Sequence, residues 1–552
     1  MQKQIKVVAI LFLGIVFFSA CNNVPDHTKY IPKDAILVAG VNFKGLSKKI
    51  AWNVITGSKL FKEMQKRLPE KNANDALSGI EKSGIDFIST VYAFVNTDKR
   101  MRGGNRVTVL VPLSNSGDWE TYLKKVYPNV KITSHGDRKE AKVNDFMYLG
   151  WNKHLMAVTN LMNKNSDYDA PDNADASKSD ADITMEMDNI FNIKEENSII
   201  SNINFKALQS NGHDVTFWLN YDQLLTQYNN DLNNKMPVSL AKVNLLWKDA
   251  AIACGFDFNT GKITGDMKYY VSKEMYDISR DFGAVNVDKE MLERLPNQNM
   301  DLLMAMHISP TGIKKSVDKT EATSMIDATL TPLNMNLDYI LSAFSGDMAF
   351  VMNDISVTSE NFKDEMGREM PFKTQKTNIS MTYALKFDKK DNFTKLFAFV
   401  TNLGMGLKPF GNNGYCFPID SKDSVYILMN DKYAVASNKF NNANGFLNGN
   451  FRATKMPDAA SSQIIGHPIA FYLDVQEMAK NIDPNISESE KDKAMIMESK
   501  KLLTNIAFTG GAFNDNATTF HLDINFANKE ENSIIALMDY GMRLSDAETK
   551  NK

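Results

Sequence analysis

Ser316 and Lys319 have the spacing that would place a lysine amine one helical turn from a serine hydroxyl. In enzymes built on this pair, the amine accepts the serine proton and the hydroxyl becomes a nucleophile for acyl transfer. The SDN and KTG elements that accompany the pair do not follow it in this chain. We therefore expect residues 316–319 to lie on an exposed helix face without a catalytic role.

Longer catalytic signatures are also absent from the sequence. No HExxH, GxSxG, GxxxxGK[ST] or GxGxxG is present, so zinc proteases, α/β-hydrolases, P-loop enzymes and dinucleotide-binding enzymes are poor fits. Carboxylates that are scattered in sequence but converge in space would leave no short motif, and 66 acidic residues offer many such pairs. A hydrolase of glycan or peptide therefore stays an alternative, while no cofactor is predicted.

Residues 167–188 are rich in carboxylates, the oxygen ligands that calcium prefers. The segment lacks an EF-hand pattern, because it has no glycine at the turn and no glutamate at the twelfth position. We expect a solvated surface insertion and no metal site, and keep a calcium-dependent adhesion module as a second alternative. The carboxylates concerned are Asp167, Asp169, Asp172, Asp175, Asp180 and Asp182. The charged, non-periodic residues 356–377 likewise predict a surface excursion between strands.

Two cysteines and one histidine in the body of the chain could be reactive. Cys254 alternates with apolar neighbours on a strand, which suits a small buried side chain, and Cys416 follows a glycine and a tyrosine. A disulfide between them is chemically allowed in an oxidising compartment, but no pattern brings them together, so both are predicted to be free. His521 lies on the polar side of its strand and is expected to be exposed rather than catalytic.

Large aromatic side chains could stack on a sugar or a peptide. Most of them fall at core positions of strands or helices, so packing is the expected role. They are Trp119, Trp151, Trp218, Trp247 and Tyr270.

The amino terminus indicates secretion. Lys3 and Lys6 precede the apolar run 7–18, whose 12 residues would span about 18 Å as a helix, short of the roughly 30 Å membrane core. Residues 1–20 are thus predicted to be a signal peptide. The sequence around Cys21, preceded by Ser19 and Ala20, resembles the lipobox of bacterial lipoproteins, in which the cysteine is acylated. Residues 21–29 would then be a lipidated tether.

Length and composition describe the rest of the chain. The 552 residues suffice for two or more domains, and 43% hydrophobic with 23% charged residues is ordinary globular usage. A net charge of −3 leaves no positive excess for a phosphate backbone, so nucleic acid is an unlikely partner.

The body of the chain contains similar blocks in two halves, in the same order. We predict an internal duplication, with one repeat at 30–286, a second at 287–535, and a C-terminal helix and tail at 536–552. The matched blocks are 36–41 with 302–306, 93–95 with 349–351, 107–113 with 379–387, 145–160 with 423–438, 215–221 with 469–475, and the hairpins 250–271 with 506–526.

Alternation between two periods predicts the fold class. Phe520, Leu522, Ile524 and Phe526 share one face of a strand, whereas residues 393–403 have helical spacing. The class expected is α+β, with a mostly antiparallel sheet in each half and helices packed on one face.

The run 30–35, Tyr-Ile-Pro-Lys-Asp-Ala, follows the lipoprotein signal and precedes a strand and a long duplicated body. In this it resembles an uncharacterised family of Bacteroidota envelope lipoproteins. The resemblance implies an envelope lipoprotein, and the single acidic residue Asp26 in the tether favours an outer-membrane lipoprotein facing the periplasm over surface display. Function is predicted to be non-catalytic binding or structural support, with the membrane, through acyl chains on Cys21, and an unknown envelope protein or glycan as partners.

Overall fold

The structure is a computed structural model. It describes residues 27–50, 80–98, 104–144, 147–162, 180–225, 246–363, 369–402, 406–411, 414–419, 423–484 and 489–549. The predicted signal peptide, Cys21 and residues 22–26 of the tether lie outside these residues. No helix among them combines the length and the apolar character needed to cross a membrane.

The described residues form two compact units. Unit 1 comprises those of Met1–Asn234 and Asp249–Asn259, and unit 2 those of Lys235–Lys248 and Thr260–Lys552. The boundary at 259/260 differs from the predicted one at 286/287, because strand Lys262–Tyr270 hydrogen-bonds along its whole length with strand Ala517–Phe526.

The described part of unit 1 contains one antiparallel sheet of nine strands, in the order β9-β8-β1-β2-β3-β7-β6-β5-β4. Its strands are β1 Leu37–Val41, β2 Val91–Asp98, β3 Gly104–Pro112, β4 Ile132–His135, β5 Arg138–Lys142, β6 Met147–Trp151, β7 Leu155–Met162, β8 Val215–Asn220 and β9 Ala251–Asn259.

The described strands of unit 2 are also antiparallel neighbours, in the order β10-β20-β19-β18-β11-β12-β13-β17-β16-β15-β14. Its strands are β10 Lys262–Tyr270, β11 Met300–His307, β12 Phe344–Lys363, β13 Glu369–Phe387, β14 Lys408–Pro409, β15 Gly414–Pro418, β16 Ser424–Met429, β17 Tyr433–Ser437, β18 Ile469–Asp474, β19 Leu503–Asn514 and β20 Ala517–Phe526.

Helices connect the strands and cover the sheets. In unit 1 they are α1 Phe43–Lys49, α2 Ser116–Val126, α3 Asp180–Phe191 and α4 Ile203–Ser210. In unit 2 they are α5 Tyr276–Gly283, α6 Lys289–Glu293, α7 Pro310–Lys319, α8 Thr323–Leu330, α9 Leu337–Leu341, α10 Lys390–Asn402, α11 Phe440–Asn448, α12 Asp458–Ile464, α13 Val475–Lys480, α14 Glu490–Leu502 and α15 Ser533–Thr549.

The mixed α+β class with antiparallel sheets is confirmed. In unit 1, helices lie on both faces of the sheet, where one covered face was expected. On one face, Trp119 and Leu123 of α2 join the core around Val109. On the other face, Met187 of α3 approaches so closely that a Cβ at Gly150 would lie 2.4 Å from its sulfur. Strand alternation buries apolar side chains on both sides of this sheet, so each side needs cover.

Nine strands of unit 2 follow the strand order of unit 1, with β10 and β20 added at one edge. A buried pair of hydroxyls occupies the same place in both sheets: Thr108 with Thr159 in unit 1, and Thr382 with Ser437 in unit 2, each at 3.1 Å between Oγ atoms. The shared order supports the predicted duplication, which stays a prediction. The neighbouring strands also pair alike. In unit 1, Val38 lies opposite Phe94, and Phe94 lies opposite Thr108. In unit 2, Leu303 lies opposite Val351, and Val351 lies opposite Thr382.

Candidate functional site

A cleft of about 680 Å³ lies in unit 1, on the sheet face that α3 covers. Its floor is formed by β2 and β3, and its walls by the segment before β1, the end of α3 and the chain that follows α3. We call this site the cleft. The floor residues are Phe94, Asn96, Arg106 and Thr108; the wall residues are 32–34, 188–190, 192–194, 196 and 197.

Strand pairing brings the floor residues together. Residues two apart on a strand share a face, so Phe94 and Asn96 point to the same side of β2. The antiparallel register sets Phe94 opposite Thr108 and Asn96 opposite Arg106. Arg106 is only 8% exposed and Thr108 only 1%. The floor is therefore a buried, largely polar surface with one permanent positive charge.

Asn96 carries an unsatisfied hydrogen-bond acceptor in the cleft. Its Oδ1 atom is buried and has no hydrogen-bond partner among the described residues. A buried acceptor without a partner costs about 1 to 3 kcal/mol, and such groups usually meet a donor from protein, water or ligand. Asn353, in β12 of unit 2, has the same unsatisfied buried Oδ1, so this feature is not particular to the cleft.

The charged wall side chains at the mouth of the cleft are exposed and carry both signs. Lys33 and Lys194 face Asp34 and Glu196 around the opening. Lys33 Nζ donates to the backbone oxygen of Glu196 at 3.1 Å. Asp188 adds a third exposed carboxylate to the lining, and it is already paired with Arg138.

A buried charge network holds α3 in place as a cleft wall. Arg138 Nη1 donates to Asp188 Oδ1 at 2.9 Å, and the guanidinium lies 5.7 Å from the ring centre of Phe191. Arg138 Nη2 also donates to Glu140, and Thr184 Oγ1 donates to Glu140 Oε2 at 2.9 Å. Arg138 and Glu140 are each 5% exposed. This network ties three points of α3 to β5.

A second cluster, in unit 2, contains serine, histidine and aspartate but does not have the geometry of a catalytic triad. His307 Nδ1 lies 2.9 Å from Asp347 Oδ1, and Ser345 Oγ donates to the other oxygen of Asp347 at 3.2 Å. The serine and the histidine thus share one carboxylate, whereas a triad needs the serine on the other ring nitrogen. Lys386 Nζ lies 3.8 Å from the oxygen of Asp347 that accepts from Ser345, and it also donates to Asp288. Burial alone would raise the pKa of Asp288, but hydrogen bonds from Lys386 and a backbone amide hold it below its usual range. The cluster is a buried ion network.

Asp301, in β11, is an isolated buried carboxyl in unit 2. It is 1% exposed, and Ile355 N donates to its Oδ2 at 2.8 Å. Burial raises the pKa of Asp301 from 3.8 to about 6, and the charges of Glu477, Asp354 and Asp474 act in the same direction. Its proton is therefore bound more tightly in the folded than in the unfolded chain.

We expect Asp301 to lower the stability of the protein as the pH rises. A raised folded-state pKa means that stability is lost between about pH 4 and pH 6, and each pKa unit corresponds to about 1.4 kcal/mol. Asp301→Asn keeps an acceptor for Ile355 and removes the titration. Urea unfolding at several pH values should show the variant more stable than the wild type above pH 6, by on the order of 2 kcal/mol. Parallel curves between pH 4 and pH 6 would contradict this assignment.

Ser316 and Lys319, which have the spacing of an acyl-transfer pair, lie on α7 and form hydrogen bonds with other residues. Ser316 Oγ donates to the Gly312 oxygen at 2.8 Å, and Lys319 Nζ donates to Glu274 Oε2 at 3.1 Å. Each group is thus engaged elsewhere.

The acidic segment 167–188 lies only partly within the described residues, since 163–179 fall outside them. Its end forms the first part of α3, where Met187 is buried, so the expectation of a surface insertion is wrong for residues 180–188. No group of three or more metal-ligating side chains is found in the described part of the chain.

Residues 356–377, expected to be an irregular excursion, instead continue β12 and β13 as the outer part of a long hairpin. Pairs such as Ser356 with Asn378 and Ser359 with Gln375 maintain the antiparallel register. Residues 364–368, between the two strands, lie outside the described residues.

The remaining candidates mostly lie where the sequence predicts. Cys254 and Cys416 are free thiols, and burial raises the pKa of Cys254. His521 is exposed and pairs with Asp266 at 2.9 Å. Of the aromatics, Trp119, Trp151, Trp218 and Tyr270 are buried, and Trp247 is half-buried with its ring 6.5 Å from Tyr269. None of these side chains lines the cleft.

Sequence reasoning did not find Arg106 and Asn96. The only signal was a polar side chain at an inward position of each strand, Asn96 just after one apolar run and Arg106 just before another. Their significance depends on the pairing of β2 with β3 and on α3 returning over that face.

No family model and no curated protein matches the chain. Among solved structures, crystal form III of TP0453 matches with 8% identity and a TM-score of 0.25, covering 48% of this chain and 90% of the other. Crystal form IV of TP0453 matches with 9% identity and a TM-score of 0.24, covering 45% and 84%. Likeness at this level carries no conclusion about fold or function.

Proposed function

We propose that this protein is a bacterial envelope lipoprotein that binds a small polar ligand in the cleft of unit 1 and does not transform it. The cleft carries this proposal. Its volume of about 680 Å³ lies within the roughly 300 to 1,000 Å³ that is usual for small-molecule sites. A buried floor with few polar groups and an exposed rim is also the usual construction of such sites.

The lining of the cleft favours binding over catalysis. It includes no serine, cysteine or histidine side chain, and the hydroxyl of Thr108 is engaged with Thr159. The carboxylates of the lining, those of Asp34, Asp188 and Glu196, all belong to exposed residues. A general acid in glycoside hydrolysis needs a raised pKa, which burial would give and exposure does not.

The location proposed is the outer membrane, with the chain anchored through acyl chains on Cys21 and facing the periplasm. The apolar run 7–18, the lipobox-like residues before Cys21 and the sparsely acidic tether support this part of the proposal. Membership of the uncharacterised Bacteroidota lipoprotein family is proposed on residues 30–35 and the matched blocks. Each buried CH₂ of an acyl chain adds about 0.8 kcal/mol to membrane binding, so more than one chain holds the protein firmly.

A blocked-cleft variant tests the proposed binding. Residues 22–552 without the lipid would be screened by ligand-observed NMR against small envelope-derived sugars and peptides. Asn189 is exposed on the cleft wall, so Asn189→Trp should fill the opening and abolish binding without unfolding the chain. Glu195→Trp, at an exposed position outside the lining, is the matched control and should bind as the wild type does.

Two results would overturn the proposal. One is equal binding by the Asn189→Trp and Glu195→Trp variants, which would place the ligand elsewhere. The other is conversion of any screened compound to a new product by the purified chain, abolished by a single carboxylate substitution, which would make the protein an enzyme.

A further inference from the structure

We infer that unit 2 binds the acyl chains of a phospholipid on one apolar face of its strands. This face lies on seven neighbouring strands, on the side away from helices α6, α11 and α12. The strands are β10, β20, β19, β18, β11, β12 and β13. We call this surface the outer face. The inference goes beyond the proposed function, because the cleft belongs to unit 1.

The strand register builds the outer face. Residues directly opposite each other on antiparallel strands point to the same side, so each cross-strand row shares a face. Three successive rows on the seven strands contain only Ile, Leu, Met, Phe and Gly, apart from Tyr383. The middle row follows Gly265 and consists of Leu522, Phe508, Phe471, Met304, Phe350 and Tyr383.

The two faces of these strands differ in the size of their side chains. The face covered by helices has alanine at five of its core positions, namely Ala305, Ala349, Ala384, Ala470 and Ala507. The larger apolar side chains point to the outer face, where Met304, Met381 and Tyr383 are 38%, 39% and 55% exposed. Folding normally buries large apolar side chains, so a contiguous group of them on an exposed face indicates a binding surface.

The outer face is large enough for acyl chains. With strands about 4.8 Å apart and rows about 6.8 Å apart, it covers on the order of 700 Å². The largest apolar patch on a typical monomer covers roughly 300 to 600 Å². The face is about 29 Å wide across the strands. An acyl chain spans about 15 Å, half of the hydrocarbon core of a bilayer, and can therefore lie on the face at full length.

The scarcity of polar groups on the outer face favours hydrocarbon over protein as its occupant. A protein interface carries about one hydrogen bond per 100 to 200 Å², so a protein partner would need several polar contacts on a surface of this size. The hydroxyl of Tyr383 is the only polar side-chain group in the three rows, and the backbone pairs between the strands. Acyl chains need no hydrogen bonds, so they match this surface.

Methionine gives the outer face an adaptable surface. An unbranched thioether side chain has three rotatable bonds and fills irregular gaps, and methionine-rich surfaces repack around different ligands. Acyl chains have no single shape, so they require a surface of this kind. The outer-face methionines are Met267, Met304, Met306, Met348, Met352 and Met381.

Uptake of phospholipid by the soluble chain tests this inference. Residues 22–552 would be incubated with vesicles of phosphatidylethanolamine and phosphatidylglycerol, separated from them by flotation, and examined by native mass spectrometry. We expect phospholipid to stay with the protein. Met304→Glu/Met381→Glu should reduce the bound phospholipid at least about 10-fold, because two carboxylates would face hydrocarbon. Met185→Glu, at a position 43% exposed on α3 of unit 1, is the matched control and should bind as the wild type does.

Oxidation of methionine locates the site without any substitution. Hydrogen peroxide converts accessible methionines to sulfoxides, and peptide mass spectrometry follows each one. Bound phospholipid should slow the oxidation of Met304 and Met381. It should leave the rates at Met185 and Met325, which are 43% and 50% exposed outside the outer face, as they are without lipid. A thermal melt checks that the double variant folds, and the oxidation experiment does not depend on it.

Four results would overturn the inference. Recovered protein without phospholipid would show that the outer face does not hold it. Bound phospholipid that neither protects Met304 from oxidation nor is lost in Met304→Glu/Met381→Glu would lie elsewhere. Recovery of the protein with the vesicles alone would make the outer face a membrane-docking surface. A wild-type dimer in sedimentation velocity that the double variant loses would assign the face to a second copy of the chain. The cleft is tested separately, with Asn189→Trp.

Discussion

We expect replacement of Cys21 with serine to abolish membrane attachment and fatty-acid labelling of the mature protein. The apolar run before it, residues 7–18, would span only about 18 Å as a helix, short of the roughly 30 Å membrane core. If the proposed acyl chains on Cys21 are the anchor, this substitution removes all of them, so the loss should be complete rather than graded. Expression in a bacterium fed a labelled fatty acid, followed by fractionation, measures both effects.

The chain offers matched controls for this experiment. Cys254→Ser and Cys416→Ser change free thiols in the body of the protein and should leave label and fractionation as in the wild type. Equal labelling of the wild type and Cys21→Ser would show that the cysteine is not acylated. Release of the wild type as a soluble protein would have the same meaning.

Arg138→Ala should destabilise unit 1 by about 3 to 5 kcal/mol, the usual effect of removing one partner from a buried ion pair. The substitution leaves the buried carboxylate of Glu140 without its guanidinium and frees Asp188, so α3 loses its attachment to β5. Urea unfolding of residues 22–552 would measure the loss. Hydrogen exchange at residues 184–191 should rise in the same variant, because α3 opens first.

Two controls separate the buried pair from a general surface effect. Lys139→Ala removes a neighbouring ion pair, in which Lys139 Nζ lies 2.6 Å from Glu120 Oε1 and the lysine side chain is 41% exposed. It should lower the free energy of unfolding by under about 1 kcal/mol. The double variant Arg138→Met/Glu140→Leu removes both buried charges and should regain much of the stability. A loss below 1 kcal/mol for Arg138→Ala alone would show that the network does not hold the cleft wall.

Local periodicity was enough to predict most of the strands and the fold class. Phe520, Leu522, Ile524 and Phe526 alternate as expected, and all lie on β20. The matched blocks likewise fall on corresponding strands, such as 93–95 on β2 and 349–351 on β12. In the structure, however, the position that corresponds to Phe94 in the shared strand pairing is Val351. The sequence match aligns Phe94 with the residue before it, Phe350. Sequence similarity locates a strand better than it fixes the exact pairing.

Composition was misleading where charge density masked a helix. Residues 180–188 look like part of an acidic surface insertion, yet Met187 and Ile190, three apart, are both buried on α3. That spacing is a helical signal, and greater weight on it would have predicted the helix. The cleft itself could not be predicted, because it depends on a helix from one part of the chain covering residues paired across two distant strands.

The most direct test of the central claim is hydrogen–deuterium exchange of residues 22–552, with and without whichever screened compound binds most tightly. Binding in the cleft predicts slower exchange in three separate stretches, 32–34, 94–98 with 104–108, and 188–197, and no change at the corresponding strands of unit 2. Protection confined to 351–353 and 380–382 of unit 2, or protection nowhere in the cleft while the compound is bound, would contradict the account.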